Sequence, residues 1–158
     1  MSQDIFARAV RFIDQEADLL DQGEFRKWLT LWKPEGLYII PIDHQTTDYV
    51  NALNYAYDNQ KMREKRVNRL YSGESISTTP RARTVRMSGR YCLVSDSNGT
   101  IEIRCAQSLW EFRKGHRQHH VADITYELEV NDHDFLINKK IIKLINSEEY
   151  LSSIGYIL

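Results

Sequence analysis

The sequence predicts an α+β domain in which a strongly curved antiparallel sheet is covered by three N-terminal helices. Three observations carry that prediction. Helical periodicity is confined to the first half of the chain and long strands to the second, a segregation that argues against alternating β/α units. Three consecutive hairpin signals join the strands into a meander. Several strands are apolar on both faces, so both faces need a cover. At 158 residues the chain is expected to be one domain, 1–158, long enough for a real core.

Phe6, Ala9, Val10, Ile13, Ala17 and Leu20 recur at helical spacing, with Ser2 available as an N-cap. Asp14, Gln15, Glu16, Asp18 and Asp21 fall mostly off that stripe, and Gly23 breaks it. Phe25, Trp28, Leu29 and Trp32 give the i, i+3, i+4, i+7 pattern of a short second helix, which Pro34-Glu35-Gly36 ends with turn chemistry. Leu37 to Ile42 is a β-rich run that Pro41 bends or places at an edge. A polar loop spans Asp43 to Asp48. Asp58 can cap a third helix, with Met62, Arg66, Val67 and Leu70 roughly on one side; Ser72-Gly73 stops it, and a loop runs to Pro80.

Four long strands follow. Thr84 to Ser95 carries Val85, Met87, Tyr91 and Leu93 in period two, and Ser97-Asn98-Gly99 signals a hairpin. Thr100 to Arg113 sets Ile101, Ile103, Cys105 and Leu109 against Ala106, Trp110 and Phe112. After the turn at Lys114-Gly115, Arg117 to Val130 places His120, Ala122, Ile124, Tyr126, Leu128 and Val130 on one face. Asn131-Asp132 turns again, and Phe135 to Ser147 opposes Ile137, Ile141 and Ile145 to Leu136, Ile142 and Leu144. The predicted order is α-α-β-α-β-β-β-β. Strands this long twist and coil. The helices are the elements available to cover the concave side, which gives a cone; the outer apolar face predicts a second chain.

Composition excludes several function classes. The net charge is -1, so no global field recruits nucleic acid or an acidic membrane surface. No apolar run approaches the length of a membrane-spanning helix, and MSQDIFARAV does not read as a signal peptide. Cys92 and Cys105 match no metal or redox spacing and read as small thiols within strands, which predicts a cytoplasmic protein.

"GHRQHH" gathers His116, His119 and His120, three of the five histidines. Adjacent strand residues point to opposite faces, so His119 and His120 cannot both reach one ion without a bulge, and His116 sits at the turn. Polar surface or interface residues are the expected reading, with His120 half buried. Lys61, Arg63, Lys65, Arg66, Arg69, Arg81, Arg83 and Arg86 form a basic cluster. Without interleaved aromatics or overall positive charge, it reads as a solvated helix face or a salt-bridging surface toward a protein partner rather than a nucleic-acid site. Trp28, Trp32, Tyr38, Tyr91, Trp110 and Tyr126 either line a pocket in the cone or fill it. Asp43, Asp123, Glu127 and Glu129 could act as a base beside His44 or His120, but no spacing joins any of them into a dyad. Phosphate loops, nucleophile elbows and paired-cysteine clusters are absent from the sequence.

The segment "EADLLDQGEFRKWLTLWKPEGLYIIP" resembles the opening of the small (beta) subunits of aromatic-ring-hydroxylating, Rieske-type dioxygenases, in which a helix ending in Leu-Leu-Asp leads to a Trp-containing helix and a Tyr-containing strand ending in Pro. "YDNQKMREKRVNRLYSG" is similar to the family's arginine-rich helix, "PRARTVR" to its Pro-x-x-Arg-Thr entry into the long sheet, and "KKIIKLINSEEY" to its last strand. The likeness spans nearly the whole chain and rests on the order and spacing of these segments. One departure is that Thr84 leads to Val85-Arg86, where family members often carry a His.

The resemblance implies a cone of the NTF2-like, SnoaL-like (cystatin-like) type. It implies a non-catalytic subunit that forms a homotrimer and supports large (alpha) subunits, with no cofactor in this chain. The Rieske 2Fe-2S cluster and mononuclear Fe(II) are expected in the large subunit, the cluster of one lying near the iron of its neighbour. Neither a Rieske ligand set nor a two-His-one-carboxylate triad is evident in the sequence. Subunit contacts are expected at Arg66, Arg69, Arg81, Arg83, Thr84 and Trp110. The rival expectation is a stand-alone SnoaL-like isomerase, dehydratase or cyclase using Asp43, His44, Tyr38 and Tyr126 in an open pocket. A cone plugged by Trp and Tyr favours the subunit; an open cavity holding an acid–base pair favours the enzyme.

Overall fold

The computed structural model describes residues 2–76, 82–145 and 157–158, and the side chains of residues 4–71 within the first span. The elements are α1 (Ser2–Asp21), α2 (Phe25–Leu29), β1 (Trp32–Pro41), β2 (Asn54–Asp58), α3 (Gln60–Ile76), β3 (Arg83–Ser97), β4 (Thr100–Arg113), β5 (His116–Asn131) and β6 (Asp134–Leu144). One six-stranded sheet runs β2-β1-β6-β5-β4-β3. The expected meander is β3 to β6, all antiparallel. β1 joins β6 in parallel and β2 antiparallel.

The turn chemistry works as the sequence indicates. Asn98-Gly99 and Lys114-Gly115 are two-residue hairpin loops with positive φ at both positions, the geometry that matches strand twist. The third loop is Asp132-His133, one residue later than expected, with Asp132 at φ 55.

Helix α1 buries Ala9, Phe12, Ile13, Ala17 and Leu20 against the sheet. It also buries Glu16, which the sequence placed on the solvated side. The N-cap role of Ser2 lies outside the described side chains. Helix α2 stops at Leu29, so Trp32 opens β1 instead of extending the helix. Pro34-Glu35-Gly36 therefore lies inside a strand. Trp32 pairs with Ile137 and Leu37 with Lys139, so three extra residues loop out of β1. Gly36 is required there: an added Cβ would lie 2.8 Å from the Ile137 carbonyl oxygen.

Strand β2 was not foreseen, because NYAYD is short and follows a loop without strong alternation. The cap of α3 is Asn59, not Asp58: Asn59 Oδ1 accepts from the Met62 N–H at 3.0 Å, whereas Asp58 closes β2 and pairs with Arg66 at 2.7 Å. The helix continues through Ser72-Gly73 to Ile76. Its buried side is Arg63 and Val67, while Met62 is exposed. The buried Arg63 is the larger surprise. Its guanidinium lies 4.3 Å from the Trp32 ring and donates to the carbonyls of Gly36 and Lys33, tying down the β1 loop-out.

Bulges explain the two failures of strand periodicity. In β3, Gly89 pairs with Ala106 and Cys92 with Arg104, so one extra residue intervenes and Arg90 takes φ 53. Tyr91 is thereby separated from Val85 and Met87 and hydrogen-bonds Asp14 of α1. In β6, Ile137 pairs with Leu128 and Lys139 with Glu127, leaving Asn138 unpaired. The bulge puts Lys140 on the same buried face as Ile137, Ile142 and Leu144. Strand β6 ends at Leu144 and Ile145 is a turn, so the strand stops short of the expected Ser147; Asn146 and Ser147 lie outside the described residues.

Candidate functional site

Among the described residues, the interior of the cone is filled by aromatic side chains and a buried polar cluster. Trp28, Trp32 and Tyr38 form an edge-on aromatic trio with centroids 5.4 to 6.3 Å apart. Beside them, Glu16 accepts from Trp28 Nε1 at 2.9 Å, from Tyr126 Oη at 2.7 Å and from Lys140 Nζ at 2.7 Å. All four side chains are essentially inaccessible to water. Burial lowers the Lys140 pKa, and the Glu16 carboxylate opposes that effect. Burial raises Tyr38 to about 12 and lifts Tyr126 well above its ordinary value. Both tyrosines hold their protons at neutral pH. With Glu16, Trp28, Tyr126 and Lys140 buried and hydrogen-bonded to one another, the cluster suits internal cross-linking rather than proton transfer to a substrate.

The four residues proposed for an acid–base pocket are not brought together. Tyr38 and Tyr126 are in the core, whereas Asp43 is exposed in the loop after β1 and accepts the Gln45 N–H at 2.9 Å. His44 lies in the same loop, half-buried, and its carbonyl accepts from Lys143.

The histidine run obeys strand parity. His119 is exposed and stacks on Trp110, ring centroids 4.1 Å apart and planes 5° from parallel, while its Nε2 bonds Ser108 Oγ. His120 faces the concave side, where burial lowers its pKa, and Glu111, 4.0 Å away, pulls it partly back. His116 is exposed at the turn. Among the described residues, no three His, Cys, Asp or Glu side chains cluster as metal ligands. Cys92 is half-buried; Cys105 is fully buried, its pKa raised to about 12 by desolvation. A Rieske cluster, which takes two cysteines and two histidines, does not fit these positions.

Two surface grooves gather the residues expected at subunit contacts. The first, about 860 Å³, lies between the end of α1 and the start of β3, and its walls include Asp21, Arg83, Thr84, Trp110, Phe112 and Arg117. Asp21 organises it. Its carboxylate accepts from Thr84 Oγ at 2.9 Å and the Arg86 N–H at 2.8 Å, and forms an ion pair with the buried Arg86 guanidinium. The Leu-Leu-Asp and Arg-Thr segments are thus two halves of one contact. The convex face of β3 and β4 exposes Val85, Met87, Trp110 and Phe112, of which Val85, Trp110 and Phe112 also line the groove, and Val85 sits opposite Trp110 in the ladder. The second groove, about 520 Å³, runs along α3 past Met62, Lys65, Arg66 and Arg69. Arg66 is partly committed there to Asp58. Arg81 lies outside the described residues. Sequence reasoning missed Asp21, Arg86, Glu16 and Lys140 as organising residues, because each derives its role from a partner remote in sequence.

Residues 15–149 match the profile of the ring hydroxylating beta subunit family. The chain is 28% identical over 139 residues to the small subunit of 2-halobenzoate 1,2-dioxygenase from Burkholderia cepacia, covering 84% of each chain. It is 32% identical over 110 residues to the beta subunit of N,N-dimethyl phenylurea N-demethylase from Sphingobium sp. (strain YBL2), covering 66% of this chain and 62% of that one. In structure it resembles the beta subunit of benzoate 1,2-dioxygenase from Burkholderia mallei ATCC 23344, with TM-score 0.81 at 22% identity over 96% of each chain. The cone itself recurs in an NTF2-like protein with a cystatin-like fold from Novosphingobium aromaticivorans, with TM-score 0.60 at 12% identity over 89% of this chain and 81% of that one. The chain belongs to the ring-hydroxylating beta-subunit family, on an α+β NTF2-like cone.

Proposed function

We propose that this chain, one domain over residues 1–158, is the non-catalytic small subunit of a cytoplasmic, multicomponent dioxygenase that inserts O2 into an aromatic substrate. It forms a homotrimer and supports large subunits carrying the Rieske cluster and mononuclear Fe(II). The observation that carries this reading is the contrast between a cone interior filled, among the described residues, by Trp28, Trp32, Tyr38 and Tyr126 and an outer sheet face left apolar at Val85, Met87, Trp110 and Phe112. An apolar patch of this kind is the usual mark of a protein interface. The first groove, with Arg83 and Thr84, extends that patch with charge. The second, with Arg66 and Arg69, offers planar donors for carboxylates of a large subunit. Arg81 is included in the proposed contacts on its sequence match alone.

Similarity to subunits of both halobenzoate dioxygenase and phenylurea demethylase fits a support role, with the aromatic substrate chosen by the large subunit. The test is co-expression with the cognate large subunit. A complex that co-purifies and oxygenates an aromatic, with no turnover by this chain alone and a trimeric mass for it in solution, is expected. A strictly monomeric chain that never binds the large subunit sinks the proposal.

A further inference from the structure

The polar groups in the cone hold a piece of the chain by its backbone. Arg86 donates to the Ile157 oxygen, Lys140 Nζ donates to the Leu158 oxygen at 2.9 Å, and the Leu158 N–H donates to Tyr38 Oη at 2.9 Å. Arg86, Lys140 and Tyr38 are all buried. The Ile157 and Leu158 side chains are 1% exposed and join the same apolar cluster as Trp28, Tyr38 and Tyr126.

Two features distinguish this from general packing. The Ile157 oxygen, the Leu158 N–H and the Leu158 oxygen are all engaged, so the site reads main-chain polar atoms as well as apolar bulk. The charges of the site are also balanced without the segment, since Lys140 pairs with Glu16 and Arg86 with Asp21. Withdrawing residues 157–158 strands no buried cation, the event that makes breaking such clusters so costly. What the segment supplies is acceptors for remaining N–H groups and hydrocarbon for the aromatic wall. A seat with these properties is preorganised for its occupant.

We propose that the interior of the cone is a binding site for a short apolar peptide, filled here in cis by Ile157-Leu158 and able to take the same sequence in trans. Tethering supplies an effective concentration on the order of millimolar, so a free peptide has to be offered in that range.

The first test uses the full chain. The Leu158 amide is expected to exchange slowly with solvent and to speed up about tenfold, one hydrogen bond's worth, in Tyr38→Phe, while amides in β4 and β5 stay protected. Exchange of the Leu158 amide at the rate of an unstructured peptide overturns the proposal. The second test uses a chain ending at residue 156 and the synthetic peptide SIGYIL, residues 153–158. A saturable rise in melting temperature, or recovery of folding if the shortened chain is unfolded alone, is expected. A version of the peptide with Asp for the final Leu is expected to do nothing. No response to SIGYIL, or an equal response to both peptides, overturns binding in trans.

Discussion

Lys140 and Glu16, 124 residues apart, meet at 2.7 Å in the centre of the cone with neither side chain accessible to water. Breaking such a pair strands a buried charge and costs roughly 3–5 kcal/mol, whereas neutralising both partners costs far less. Lys140→Met is therefore expected to lose about that much in urea denaturation. The double variant Glu16→Gln/Lys140→Met, whose amide keeps an acceptor for Trp28 Nε1 and turns its NH2 toward Tyr126 Oη, is expected to recover most of it. A single variant within about 1 kcal/mol of the parent, on a scale where typical mutations cost 0.5–3, shows that the pair carries no such charge.

His120 gives the fold an acid dependence. Burial holds its folded-state pKa below 6.5, so as pH falls past 6.5 the unfolded chain binds the proton first. Its contribution to stability is complete above 6.5, declines as pH drops toward the folded value, and is constant below it. Denaturation midpoints taken between pH 7.5 and 5 are expected to show a decline that His120→Gln lacks. Parallel curves for the two proteins remove His120 as the cause.

Tyr38 acts at the other end of the scale. With its pKa pushed from 10.0 to about 12, its neutral form stabilises the fold fully below 10 and that stability is lost as pH rises through 12. Ultraviolet titration is expected to show a late class of tyrosines ionising together with loss of the fold. Simple ionisation of all tyrosines near 10 in a still-folded chain contradicts this.

Gly36 has no room for a side chain. Its Cβ would press on the Ile137 oxygen at 2.8 Å and on the Trp32 ring at 2.9 Å, both held in place, Trp32 by Arg63. Gly36→Ala is expected to cost about 1–3 kcal/mol, the range for overpacking a tight site, with a lowered melting temperature. An unchanged melting temperature indicates that the β1 loop-out is soft.

The convex patch separates association from folding. Val85→Glu and Trp110→Ala change exposed positions. Monomer stability is expected to stay within roughly 0.5 kcal/mol, while self-association measured by sedimentation weakens at least tenfold. Equal association of the variants and the parent places the subunit interface elsewhere.

The sequence by itself determined the elements whose cause is local. Asn98-Gly99 turns because positive φ suits both residues, and at the next hairpin Gly115 supplies that freedom while Lys114 is carried into the same region. The buried face of β5 is legible from period two, and the resemblance to beta subunits was readable from segment order. The same parity put His119 and His120 on opposite faces. What only the tertiary structure decided are positions whose partners lie far along the chain. Arg63 and Glu16 look like solvated helix residues until Trp32 and Lys140 arrive against them. Lys140 points inward because one unpaired residue, Asn138, shifts the register of β6, and strand sequence carries no mark of that shift. A buried charge is tolerated where a counter-charge and hydrogen bonds meet it, and those come from tertiary assembly rather than from neighbouring residues.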